Sequence, residues 1–415
     1  MAISASRPRA RDTSRLVSSH TAPILSVLAR YPQISETFVE GELRELVARG
    51  VPVEVVALGA GTPDPGRPPV ARYYHPGRHA ARERLMATVR VAATSPHAVS
   101  RYLLREASWP PPRGRRRLRG LARIAPWVAH ARRARHLHAH FATEPTDIAR
   151  LLSSFTGRPY SFATHATDAF QDPDALRENL RGARFCVTDC EYNRRHIVEV
   201  APDQAHKVSV LILGADLSRF VRSRPYVADG PVVAVGRLVK KKGFADLVAA
   251  AARPEAGLDG REVLIVGDGP ERSDLERRIR ESGAPVRLLG ALGNDEIQEL
   301  LERASLGVLP CVVAPDGDRD SMPVALKEAM ALELPVLGTR EVGLPELIGY
   351  DRGRLVPPAD PAALAAGLGE LLGLPAAARV ILGRTGRAFV EAHCDQSRQA
   401  ERLLALIDGT GAAPS

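Results

Sequence analysis

Two series of short, nearly continuous apolar runs alternate with helical patterns along this chain, and that alternation most narrows what it can fold into. The first series holds "PILSVL" (23–28), "VEVVAL" (53–58), "YSFAT" (160–164), "RFCVT" (184–188) and "KVSVLI" (207–212). The second holds "PVVAVG" (231–236), "EVLIVG" (262–267), "VRLLG" (286–290), "LGVLP" (306–310) and "PVLGT" (335–339). Helical patterns or glycine turns follow; in "ETFVEGELRELVARG", Phe38, Val39, Leu43, Leu46 and Val47 share one face. Strands this apolar are buried on both faces, which predicts an α/β fold of parallel sheets covered by helices. The polar stretch "DLSRFVRSRPYVADG" (216–230) separates the series. The expectation is two doubly wound domains, 21–225 and 226–390, facing across a cleft, with 1–20 a disordered start and 391–415 a helix and tail able to pack on either domain. Such sheets bind ligands beyond the carboxyl ends of their strands, where the strand order reverses.

The chain has 415 residues, 45% hydrophobic and 25% charged, the profile of a soluble globular protein. Its four cysteines are scattered and none forms a Cys-x-x-Cys pair, which reads as buried thiols in a reducing compartment. No uninterrupted apolar run reaches the length of a membrane span, so a cytoplasmic protein is expected. The net charge of +9 divides unevenly: residues 1–150 carry +14 and the rest −5. Much of the excess lies in "RGRRRLRGLARIAPWVAHARRAR" (113–135), with nine Arg, no acid, and Leu118, Leu121, Ile124, Trp127 and Val128 interspersed. Three readings stand open: contact with anionic lipid at the inner membrane face, grip on an anionic acceptor, or a solvated helix face. Nucleic acid is not an expected partner, because aromatics for base stacking are not clustered there.

Three features of the second series follow strands directly. In "VGRLVKKKG", Gly236 permits a tight turn, and Arg237 and Lys242 place two cations at a strand-to-helix junction, a fit for a diphosphate or else a solvated basic turn. "VGDGPE" (266–271) reads as a turn. "DGDRDSMPVALKE" (316–328) alternates Asp316, Asp318 and Asp320, but a calcium loop would need Gly and Glu where Ser321 and Lys327 stand. Its second half has helical spacing with Pro323 suited to the first turn, putting Asp320 just outside the helix and Glu328 about two turns inside. The backbone of Met322, Pro323 and Val324 would then face a ligand. Two carboxylates flanking a helix start suit paired sugar hydroxyls. The alternative is an acidic loop beside one exposed helix Glu.

These motifs resemble the second domain of the retaining glycosyltransferases of family four (glycosyl transferase group 1), which have the GT-B fold of two Rossmann-like domains. The resemblance rests on Gly236 to Gly243, on Asp320 and Glu328 spaced as in the family's acidic hallmark, and on "ELPVLGTREVGLPELI". In the first series, "RYPQISETFVEGELRELVARG", "HAHFATEPTDIARLLSSFTGRPYSFATHATDAF" and "CVTDCEYNRRHI" are similar to the colanic-acid, exopolysaccharide-type subgroup. There a "DRDxxP" run replaces the usual Glu at the Asp320 position.

The resemblance implies transfer of a hexosyl or N-acetylhexosaminyl unit from a UDP- or GDP-sugar to an acceptor hydroxyl, with retention and without a metal or other cofactor. The acceptor would be a carbohydrate, a lipid-linked sugar or an aminocyclitol, as in polysaccharide, glycolipid or antibiotic biosynthesis. Gly236, Arg237 and Lys242 would meet the diphosphate, Ala291 and Leu292 the base, Glu328 the ribose, and Asp320 and His165 the transferred sugar. Asp168, Ser35, Glu36 and Thr37 fall on the acceptor side, although Thr37 with Glu40 also fits a capping box. "HLHAH" sets His136, His138 and His140 on one face if extended, yet no nearby carboxylate or thiol completes a metal site. The competing readings are a nucleotide-sugar epimerase or hydrolase on this fold, and a non-catalytic basic binding module.

Overall fold

The computed structural model describes residues 22–33, 36–63, 68–75, 81–105, 121–122 and 124–410. Its first sheet has seven strands: β1 (Ile24–Tyr31), β2 (Val53–Ala60), β3 (Arg72–Tyr74), β4 (His136–His140), β5 (Tyr160–Thr164), β6 (Cys186–Thr188) and β7 (Val208–Val210). They lie in the order β3-β2-β1-β4-β5-β6-β7, so the direction of winding reverses between β1 and β4. β1 runs parallel to both neighbours, pairing Val27 with Val56 of β2 and with Ala139 of β4. Helix α1 (Thr37–Ala48) follows β1 and buries Val39, Leu43 and Leu46, spaced one turn apart, while Val47 at the edge of that stripe is exposed.

β4 is the "HLHAH" segment, and all five of its residues are buried. Its polarity conceals it from an apolar pattern search. Inside, His136 Nε2 and His138 Nδ1 lie 2.7 and 2.8 Å from the Ser161 hydroxyl of β5, which supplies the hydrogen bonding that buried imidazoles need. The basic stretch is only partly described. Residues 113–120 and Arg123, and with them Leu118, lie outside the described residues. Leu121, Ile124, Trp127 and Val128 are interior, with Trp127 fully buried, so their apolar surface is spent on the core rather than offered to lipid.

Helix α2 (Glu191–Val200) follows β6. The second sheet has six strands: β8 (Val232–Val235), β9 (Val263–Val266), β10 (Val286–Gly290), β11 (Leu306–Leu309), β12 (Val336–Thr339) and β13 (Gly353–Val356). Their order, β10-β9-β8-β11-β12-β13, reverses between β8 and β11. A strand-order reversal of this kind is where such folds place a ligand site, at the carboxyl ends of the two strands. Two glycines shape its rim. Gly243 has φ +67°, and a Cβ there would collide with the Pro310 carbonyl oxygen, so the loops after β8 and β11 touch backbone to backbone. Gly267 has φ +137° and sits equally tightly on the Gly236 carbonyl oxygen. "VGDGPE" is thus a brace: Leu238 N–H donates to Asp268 and Glu271 N–H donates to Leu238.

Helix α3 (Val324–Ala331) leads from the β11 loop toward β12. Among the described residues no single helix is long and apolar enough to cross a membrane; the apolar pair Pro361–Gly373 and Ala376–His393 is bent by 109°. The first of these buries Leu364, Leu368 and Leu371 in the core. The last helix, α4 (Gln396–Asp408), donates from Gln396 to the Gly41 carbonyl of α1 and from Arg402 to the Val210 carbonyl of β7.

By proximity the chain forms two compact units. One takes residues up to 35 with Leu46–His140 and Glu144–Ser161; the other takes Glu36–Glu45, Phe141–Thr143 and everything from Phe162.

Candidate functional site

The reversal between β8 and β11 is where the motif residues converge. From the β8 loop, Lys242 Nζ lies 2.5 Å from Asp320 Oδ2, and Lys241 Nζ lies 3.2 Å from Asp320 Oδ1 and 3.0 Å from Asp318 Oδ1. Two ammonium groups thus share one carboxylate that is 16% exposed. Burial works to raise the Asp320 carboxyl, but the charges of Lys242 and Lys241 and their hydrogen bonds outweigh it and hold it at about 2. Burial likewise works to lower the Lys242 ammonium, and Asp320 more than compensates, so Lys242 stays protonated well into alkali. Arg237 is exposed on the same loop, and its charge acts against that of Lys242. The cluster holds more positive than negative charge at a strand end, which is what an anionic ligand requires.

The folded carboxyl of Asp320 is depressed below its unfolded value. Its contribution is therefore present above the unfolded value near 3.9 and lost as pH falls toward 2. At neutral pH it amounts to about 2 kcal/mol. The stability difference between the wild type and Asp320→Asn should narrow by about 1 kcal/mol between roughly pH 5 and pH 3, measured by urea unfolding. An unchanged difference over that range would contradict the pairing.

Asp318, expected to be solvated, keeps a side chain 39% exposed and is also paired. It accepts hydrogen bonds from Thr167 Oγ1 at 2.6 Å and from Lys241 at 3.0 Å. Arg319 N–H donates to Thr167 Oγ1, and Ala166 and Asp320 form an antiparallel bridge. The loop after β5 is therefore strapped along the acidic run. Asp316 keeps its local role, accepting from the Asp318 N–H.

His165 occupies that strapped loop and is buried between the Phe38 and Phe141 rings, whose centroids each lie 4.8 Å away. Its Nδ1 is 3.5 Å from Asp189 Oδ1, at the end of β6. Burial, the largest influence, lowers its pKa, yet the nearby Asp189 carboxylate, with the charges of Asp168 and Glu42, leaves it raised. Asp168 is buried beside His165. Its carboxylate accepts from the backbone N–H groups of His165, Ala166 and Ala142 at 2.8–3.0 Å, which fixes the loop that carries His165.

α3 starts at Val324 with Pro323 as its N-cap, one position later than a proline in the first turn would give. Pro323 has no N–H to donate, so Met322 and Val324 supply the amide donors. Glu328 is half-buried and stands one turn into the helix, not two. Ala291, exposed, and Leu292, half-buried, follow β10 as expected of a loop at a strand end. Glu36 and Thr37 begin α1, where the Glu36 carbonyl accepts from Val39 and Thr37 is exposed; Ser35 lies outside the described residues. Lys241, Thr167, Asp189 and Lys327 were missed by motif reading. Asp189 directly follows an apolar strand and was findable by that rule, whereas nothing local marks Lys327 as buried.

Comparison with known proteins accords with this geometry. Residues 230–373 match the family model of glycosyl transferases group 1, covering the β8 loop, the acidic run and α3. A solved structure of Anabaena Alr3699/HepE in complex with UDP-glucose superposes with a TM-score of 0.68 at 16% identity, over 94% of this chain and 100% of that one. The fold is GT-B. A glycosyltransferase of Escherichia coli (strain K12) named for colanic acid biosynthesis, WcaL, is 36% identical over 166 residues, 38% of this chain and 40% of that protein. The 2-deoxystreptamine N-acetyl-D-glucosaminyltransferase of Streptomyces fradiae is 30% identical over 220 residues, 50% of this chain and 51% of that protein. The matches span about two-fifths to one half of the length of these curated relatives.

Proposed function

We propose that this GT-B chain is a retaining, metal-independent glycosyltransferase that moves a hexosyl or N-acetylhexosaminyl unit from a nucleotide-diphosphate sugar to an acceptor hydroxyl. The observation that carries the reading is the paired ammonium cluster at the β8/β11 reversal, beside α3 and strapped to the His165 loop. Lys242 and Arg237, with the Met322 and Val324 amides, would stabilise the departing diphosphate, supplying in fixed charge what a cation supplies elsewhere. Asp320 would hold both lysines in place while its remaining lone pairs meet a sugar hydroxyl. Glu328 would orient the ribose, and Ala291 and Leu292 would border the base.

The acceptor oxygen would bond to the anomeric carbon on the face that the phosphate leaves. The leaving phosphate oxygen would take the acceptor's proton. Likeness to the colanic acid and 2-deoxystreptamine relatives supports a polysaccharide, glycolipid or aminocyclitol acceptor. The lipid contact expected of 113–135 is not carried forward, since its described apolar residues are interior.

Titration with UDP, GDP and ADP in excess chelator tests the donor site. One nucleotide is expected to bind in the micromolar range, and Arg237→Ala to weaken it by about tenfold or more. Absence of binding by all three would overturn the reading.

A further inference from the structure

We propose that Asp189 is the positioning residue of His165. The inference deepens the glycosyl-transfer reading, because the consequence for catalysis rests on His165 serving the sugar pocket. The linkage itself is a matter of geometry.

His165 and Asp189 end adjacent parallel strands, β5 and β6, so their side chains meet at a shared sheet edge, 7% and 3% exposed. Asp168 pins the His165 backbone, and the rings of Phe38 and Phe141 confine the imidazole. Its Nδ1 side is thereby committed to Asp189, which favours the tautomer with a proton on Nδ1. Lys327, fully buried on α3, donates to the Leu213 carbonyl at 2.8 Å, and its charge draws the Asp189 carboxyl down. Leu213, His165, Asp189, Glu42, Gln396 and Gln399 line one cavity of about 20 Å³, room for about one water.

Glu328 adjoins Lys327 in sequence, and its charge acts on that ammonium. Among the described residues, the charged groups acting on the imidazole include Asp189 from the β6 end, Asp168 from its own loop and Glu42 from α1, while the Lys327 charge acts on Asp189. Burial pushes the Asp189 carboxyl up, and His165 and Lys327 draw it back down.

The experiment is an NMR titration of the full-length protein with ¹³C-labelled histidine, the His165 signal being assigned by its loss in His165→Gln. In the wild type His165 should titrate above the ordinary value of about 6.5. Asp189→Asn should lower its proton affinity by about tenfold or more, Asp189→Glu should restore part of it, and Lys327→Met should raise it. A wild-type value at or below the ordinary one overturns the proposal even if the variants fail to fold. So does an unmoved titration in folded Asp189→Asn. Nucleotide binding by the wild type, measured alongside, separates the two ideas: its failure overturns the proposed donor and leaves the linkage to stand or fall on the titration.

Discussion

Lys242→Ala is expected to lower turnover by at least about two orders of magnitude while the protein remains folded. Lys242 presents a protonated ammonium at the strand-order reversal, oriented by the 2.5 Å contact with Asp320. If the leaving group is a nucleoside diphosphate, its negative charge grows as the glycosidic bond breaks. A fixed cation in a partly desolvated crevice acts on that growth without reorganising. The fold should survive because Lys241 still neutralises Asp320 from the other oxygen. The discriminating measurement is kcat alongside a thermal melt. Near-normal turnover in a folded variant would remove Lys242 from the chemistry, whereas a collapsed melt would mean that the cluster chiefly holds the loops together.

Glu328→Ala should likewise cost at least about two orders of magnitude in kcat/KM, with the melt little changed. Glu328 is half-buried one turn into α3, so removing it opens no large apolar cavity. A carboxylate there can accept two hydrogen bonds from neighbouring ribose hydroxyls. Glu328→Gln keeps one acceptor and should fall between alanine and wild type. A nucleoside diphosphate lacking its ribose hydroxyls should bind wild type and Glu328→Ala equally. Activity of Glu328→Ala close to wild type would refute the assignment, and discrimination by the variant between the two nucleotides would point to another ribose partner.

The His165–Asp189 pairing adds a condition to both results. Lys327 adjoins Glu328, so changes at Glu328 should also be followed in the His165 titration, to separate lost ribose contact from a disturbed imidazole.

Much of the architecture was legible because buried parallel strands carry their own signature. "YSFAT" and "VRLLG" coincide with β5 and β10 residue for residue, and the remaining apolar runs differ from their strands by a few positions at their ends. β4 escaped notice because histidines satisfied by Ser161 look polar in a sequence yet lie at the centre of a sheet. β3 and β13 are short and only partly buried, so their apolar signal is weak. The interspersed apolar residues of 113–135 showed a pattern but not a direction: Trp127 and Val128 turn inward.

Sequence alone determined the α/β class, the doubly wound order of events, and the placing of Gly236, Arg237, Lys242, Asp320 and Glu328 at strand ends or helix starts. These follow from local periodicity and from the few residue types that tolerate tight turns near charge. Tertiary structure alone decided which charges meet. Thr167 and Asp318 are 151 residues apart, His165 and Asp189 follow separate strands, and Lys327 reaches the Leu213 carbonyl 114 residues away. Such pairings depend on which strands become neighbours and which loops a crevice brings together, and the energy of a charge depends on burial that no local pattern encodes.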